Sequence, residues 1–213
     1  MVANSGSAGK MTAKRGLPSL LQDGSLVLVT TFFVYVHFTR AVFDHQLTAA
    51  PFAVEQTVLV LLYLVRRPSK ATSTRFWDWV VASATWLPLA TQLNDSSPAA
   101  AQALGTSLQM LGLAMATLCF LALGRSYGIV AANRGLKRAG PYALVRHPIY
   151  LSHTVILTGV VTANFSLVNV AILVVGTSLQ LLRIRAEERL LRETAGYADY
   201  AAQVRWRLVP GLY

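Results

Sequence analysis

Residues 149–182 read IYLSHTVILTGVVTANFSLVNVAILVVGTSLQLL, a stretch without a single Asp, Glu, Lys or Arg. One straight membrane crossing takes about 20 apolar residues. The run is therefore too long for one helix and suited to two short ones. Asn164 stands near its middle, followed by Phe165 and Ser166, and Asn favours bends because its side chain can bond nearby backbone. The expected element is a tight hairpin of helices Ile149–Ala163 and Phe165–Leu182, which returns the chain to the side it left.

Upstream lie four more apolar blocks, Gly24–Phe38, Pro51–Val65, Trp77–Leu93 and Ala99–Leu123. The chain is 54% hydrophobic and 13% charged, with a mean hydropathy of +0.47. Soluble domains carry about 25% charged residues, so a soluble enzyme, a disordered chain and a coiled coil are excluded. The predicted fold is an all-α polytopic membrane protein with six crossings, or five if the hairpin or the second block does not cross. Its parts are a flexible tail over 1–22, membrane helices over 23–123, and a region over 124–213 holding the hairpin and a polar terminal segment. Gly24–Phe38 has no small-x-small cleavage site close behind it, so it reads as a retained first span.

The net charge of +10, from 19 Lys and Arg against 9 Asp and Glu, raises the question of nucleic acid. The cations lie between apolar blocks, without aromatic interleaving for base stacking, so nucleic acid is not expected as a partner. Membrane topology explains them better. With the N-terminus inside, 18 of the 19 cations fall in inside segments and only Arg40 lies outside, as the positive-inside rule requires. Six crossings with both termini cytoplasmic follow. Trp77, Trp79, Tyr63, Tyr142, Tyr150 and Trp206 lie near block ends, as an interfacial aromatic belt would. Cys119 is the single cysteine, and no His/Cys spacing suggests a metal site.

The two longest polar segments, 124–148 and 183–213, flank the hairpin. Its return should therefore bring Arg146-His147-Pro148-Ile149-Tyr150 beside Arg183-Ile184-Arg185-Ala186-Glu187-Glu188. Pro148 suits the first position of a helix, which puts His147 at a helix N-terminus, where free N–H groups favour an anion. Arg146 adds a planar fork for a carboxylate. Tyr142 and Tyr150 add aromatic faces. Arg183 and Glu187 share a helix face at i,i+4, and Glu188 with Arg192 repeats that spacing on another. An acid facing a cationic cluster suits a zwitterionic, nucleoside-bearing ligand; a basic helix cap beside a solvated face with weak ion pairs is the plainer alternative. His37 lies inside the first span, where an ionisable residue is a functional candidate. His153 lies six residues beyond His147. No Walker loop, GxGxxG or GxSxG occurs, so a cofactor pocket has to come from helix ends.

Leu123-Gly124-Arg125-Ser126-Tyr127, Gly140-Pro141-Tyr142, Arg146-His147-Pro148-Ile149-Tyr150, Glu187-Glu188, Gly196-Tyr197-Ala198-Asp199-Tyr200 and Pro210 occur in this order. Together they resemble the isoprenylcysteine carboxyl methyltransferase family of integral membrane methyltransferases, which is related to the phospholipid methyltransferases. The likeness covers residues 120–213. It implies an S-adenosylmethionine pocket on the cytosolic face. Tyr142, His147, Pro148, Ile149 and Tyr150 would line it, with a further contact from Arg134, Gly135, Leu136 and Lys137. Glu187 would be a cofactor-binding acid with Glu188 beside it, and Arg183 would stand near the methyl acceptor. Arg146 would meet the cofactor carboxylate. Ser152 departs from the family pattern, which has glycine two residues after the motif tyrosine.

The implied reaction is direct methyl transfer to a lipophilic acceptor, a carboxylate or another small lipophilic group, entering from the bilayer. Arg183 would orient a carboxylate; an amine would need Glu187 or Glu188 as base. A phospholipid or amine N-methyltransferase, an NADPH-dependent membrane reductase of the sterol-reductase type and a non-catalytic scaffold are the alternatives. With 15 arginines to 4 lysines, a bacterial inner membrane is expected rather than endoplasmic reticulum.

Overall fold

The computed structural model describes residues 17–45, 50–65, 71–72, 75–83, 87–88, 90–92, 97–127, 132–133 and 136–213. The first sixteen residues of the expected tail lie outside them, as do Arg134 and Gly135 of the expected cofactor contact. The described chain is helical. In order come α1 (Leu17–Val42), α2 (Ala50–Val65), α3 (Phe76–Ser83), α4 (Ala99–Leu123), α5 (Pro148–Ala163), α6 (Leu167–Leu191) and α7 (Tyr197–Gln203). Tight 3-10 turns over Gly124–Ser126 and Gly140–Ala143 lie between α4 and α5. A two-residue antiparallel ladder pairs β1 (Ala71–Thr72) with β2 (Ala132–Asn133).

Among the described residues, three stretches are long and apolar enough to cross a membrane: Gly24–Val42, Ala99–Ser126 and Leu167–Leu191. The apolar helices Phe52–Val65 and Pro148–Ala163 are shorter. Large apolar side chains stay exposed along these helices, among them Leu104, Leu111 and Leu118, which recur every seventh residue on α4. A water-soluble chain does not tolerate such stripes; they face lipid. The first helix begins at Leu17, seven residues before the expected Gly24, so part of the expected tail is helical.

The predicted bend at Asn164 is present. Asn164 closes α5, and Ser166 caps α6 by accepting from the Asn169 backbone N–H at 3.1 Å. The tightest neighbour of α5, however, is α4. A Cβ built on Gly105 would stand 2.5 Å from Ala163 N and Gly159 O; one on Gly112 would stand 2.9 Å from Ser152 O. Small residues let the two backbones touch, which is how helices associate where no hydrophobic gain is available. Ser152 is wholly buried in this seam and donates to Ile149 O at 2.7 Å. The close approach is supplied by Gly112 opposite, so α5 tolerates serine where the family pattern has glycine.

Of the block expected over Trp77–Leu93, the part through Ser83 is α-helical and Leu87, Pro88 and Ala90 are in 3-10 conformation, while residues 84–86, 89 and 93 lie outside the described residues. Its two ends are pinned to α6. Asp78 accepts from Arg189 at 2.5 Å, while Gln92 exchanges two 2.8 Å hydrogen bonds with the buried Asn169 side chain. Arg189 and Asn169 are about 30 Å apart along α6 at 1.5 Å per residue. Fourteen helical steps from Asp78 to Gln92 would cover only about 21 Å. Pro88 has no N–H to give to a continuing helix.

Candidate functional site

The site forms where α5 begins and the charged end of α6 projects beyond its apolar run. The backbone N–H groups of Arg146 and His147 donate to Trp206 O and Arg207 O at 2.9 and 2.8 Å. This short pairing fastens the start of α5 to the terminal segment. Pro148 opens the helix as expected, with His147 before it.

The acid pair divides between two environments. Glu188 is buried, with Arg146 Nη1 at 3.2 Å and His147 Nε2 at 3.4 Å from Oε1, and Arg207 Nε at 3.0 Å from Oε2. The predicted pairing of Glu188 with Arg192 is replaced by this clasp, because the terminal segment folds back and supplies nearer cations. Glu187 turns toward α5. Tyr150 Oη donates to its Oε1, Arg183 Nε lies 3.5 Å from the same oxygen, and His147 Nδ1 lies 3.7 Å from Oε2. The expected meeting of His147 and Glu187 is therefore present. Negative charge beside the start of α5 already comes from the protein itself.

Arg183 lies over the Tyr150 ring, 5.5 Å from its centre. Tyr63, Tyr127 and His153 stand within electrostatic range of its guanidinium. Tyr63 and Tyr127 are buried with their hydroxyls 3.5 Å apart. These residues line the inner side of the site from α2, the end of α4, α5 and α6. Tyr63, expected at the aromatic belt, is only 3% exposed and belongs to this interior. Tyr142 and Tyr150 are likewise buried, whereas Trp77 is 72% exposed as a belt residue would be.

The Tyr142 hydroxyl is buried and has no hydrogen-bond partner among the described residues. Burial, with Cys119 and Glu187 near, keeps it protonated well above the usual tyrosine range, so it remains a donor. An orphaned buried donor costs about 1–3 kcal/mol unless a ligand receives it. Tyr142 is held from behind: its carbonyl accepts from Tyr200 Oη at 2.8 Å, and burial pushes the Tyr200 hydroxyl up to about 12.

Of the expected site residues, Tyr142, Arg146, His147, Pro148, Ile149, Tyr150, Arg183, Glu187 and Glu188 lie together. Leu136 packs instead on the cluster of Tyr197, Tyr200 and Val204. Lys137 is half-buried, with no ion-pair partner among the described residues. Sequence reasoning missed Arg207, Tyr63 and Tyr127 as neighbours of the site and left His153 unplaced. The only sign of Arg207 was a terminal segment richer in arginine than its own acids could balance.

The arrangement offers a ligand an acid, a free phenol donor and buried aromatic faces. Residues 100–198 match the model of the phospholipid methyltransferase family. No curated protein matches the chain. The match takes in all but the first residue of α4, upstream of the predicted likeness, and stops before Arg207. The relationship to phospholipid methyltransferases read from the motifs is borne out over this stretch.

Proposed function

Taking a membrane methyltransferase region as the premise, we propose that this chain transfers the methyl group of S-adenosylmethionine to a lipophilic acceptor at the cytoplasmic face. The observation that carries this reading is the convergence, inside the family-matched stretch, of an orphaned Tyr142 hydroxyl with Glu187, His147 and Tyr150.

When bound, S-adenosylmethionine supplies an electrophilic methyl on a sulfonium. Glu187 receives ribose hydroxyls or the ammonium group, and Tyr142 donates its free hydroxyl. His147 and Tyr150 hold Glu187 in place, so the acid is oriented before the ligand arrives. Glu188 serves as a brace: with Arg146 and Arg207 it fixes the terminal segment over the start of α5. Arg183 faces the interior and holds the accepting group, with a carboxylate as its natural partner. Displacement at a methyl needs little covalent help, and alignment of donor and acceptor lowers much of the barrier. The acceptor enters sideways, its tail remaining in lipid.

Six crossings accompany this reading. The pinning of Asp78 and Gln92 to opposite ends of α6 supports a crossing of the third block, and short α2 and α5 pass beside longer neighbours. Both termini are then cytoplasmic, in a bacterial inner membrane.

Radiolabelled methyl transfer from S-adenosylmethionine into a total lipid extract tests the function. A labelled lipophilic product is expected, and its identification tells whether oxygen, nitrogen or sulfur accepts. The absence of label in every lipophilic fraction, from protein that is folded and binds the donor, would overturn the reading. NADPH binding in place of the donor would point to a reductase.

A further inference from the structure

The charged end of α6 carries an open cavity at the surface. It measures about 310 Å³ and is lined by Arg185, Glu188, Arg189, Arg192 and Arg207. Arg207 is bound to Glu188, and Arg189 to Asp78. Arg185 and Arg192 are exposed and have no ion-pair partner among the described residues. After both acids are counted, two guanidinium charges remain in excess. The five lining residues include no aromatic ring on which a nucleoside base could stack, and their apolar surface is that of arginine stems. The lining offers several planar forks, the geometry that phosphate oxygens accept bidentately. A cavity of this size lies at the lower bound for small-molecule sites.

Its position adds a second argument. Arg185 is three residues beyond Leu182, about 4.5 Å further along α6, which is headgroup depth if the apolar run ends at the hydrocarbon boundary. Leu144, Trp206 and Leu212 are exposed in the segments flanking this end, at 73%, 39% and 81%. Apolar side chains next to a cationic rim are how a protein surface rests on a bilayer.

We propose that this cavity is a phosphate-binding site, separate from the methyl-donor pocket, for the phosphate of an anionic ligand at the membrane surface. The chemistry is shared by two sources, an anionic phospholipid headgroup and a small soluble phosphate. The site rests on no part of the methyl-transfer reading, since it is defined by cavity and charge alone.

The test uses the full chain in neutral detergent. Native mass spectrometry measures retention of phosphatidylglycerol and of phosphatidylcholine, and calorimetry measures binding of inorganic phosphate and glycerol phosphate. The variant R185Q/R192Q removes the two unpaired charges without touching the Glu188 clasp. For a lipid source, it should weaken phosphatidylglycerol retention about tenfold or more, with phosphatidylcholine unchanged. For a soluble source, the same loss should appear with the free phosphates instead. R185K/R192K, which keeps the charge, should recover much of the binding and so separates charge from misfolding. Equal binding by wild type and the glutamine variant for every phosphate ligand would overturn the proposal. So would displacement of the bound phosphate by S-adenosylmethionine, because the cavity would then belong to the donor.

Discussion

Two neighbouring acids in one helical turn carry different burdens, and the difference can be measured. Glu188 is buried among Arg146, His147 and Arg207. Its replacement by alanine leaves those cations without their counter-charge. Glu188→Ala is expected to cost about 2–4 kcal/mol, somewhat below the range for a wholly buried network because Arg207 is one-third exposed. A lowered thermal unfolding midpoint in detergent would register the loss; an unchanged midpoint would show that the clasp contributes nothing. Tyr142 makes the opposite prediction. Its hydroxyl has no partner to lose, so Tyr142→Phe should leave the unfolding midpoint level or slightly raised. Donor affinity should fall by roughly fivefold, the value of one hydrogen bond of about 1 kcal/mol. Calorimetric titration with S-adenosylmethionine decides it, and undiminished affinity would remove Tyr142 from the site.

At the level of helices, the contact between α4 and α5 depends on missing side chains. A methyl at Gly105 would meet α5 backbone at 2.5 Å, and backbone cannot rotate away. Gly105→Ala should therefore force the helices apart and cost about 1–3 kcal/mol, the usual penalty of overpacking. Gly24, on α1, has nothing within 4 Å of the same methyl. Gly24→Ala should be neutral or gain up to about 1 kcal/mol from helix propensity. Parallel thermal melts of the two variants make the comparison, and equal melts would contradict the packed seam. The bend between α5 and α6 has its own lock. The Asn169 amide reaches Gln92 O at 2.8 Å and Asn164 O at 2.6 Å, tying the third block to the turn.

Across the entire protein, the proposed six crossings predict opposite exposure of two points. In a chain whose buried Cys119 is replaced by serine, Ala202→Cys should react with a membrane-impermeant thiol reagent only in inverted vesicles. Phe165→Cys, at the exposed bend, should react only from the other side. Labelling of both from one side would leave an even number of crossings between them and sink the topology. Several features were legible in the residue order because they depend on local composition. The apolar run 149–182 had to become two helices at Asn164, and its return had to bring His147 toward Glu187. The Arg183–Glu187 pair followed from helical spacing. Other features depend on contacts between residues far apart in the chain. Arg207 reaches Glu188 because the terminal segment pairs with Arg146 and His147. Tyr63 is interior because α2 packs on Phe120 and Tyr127. Helix formation and hydropathy act over a few neighbouring residues and are written along the chain; the partner of a buried charge is chosen by three-dimensional packing, which no local pattern specifies.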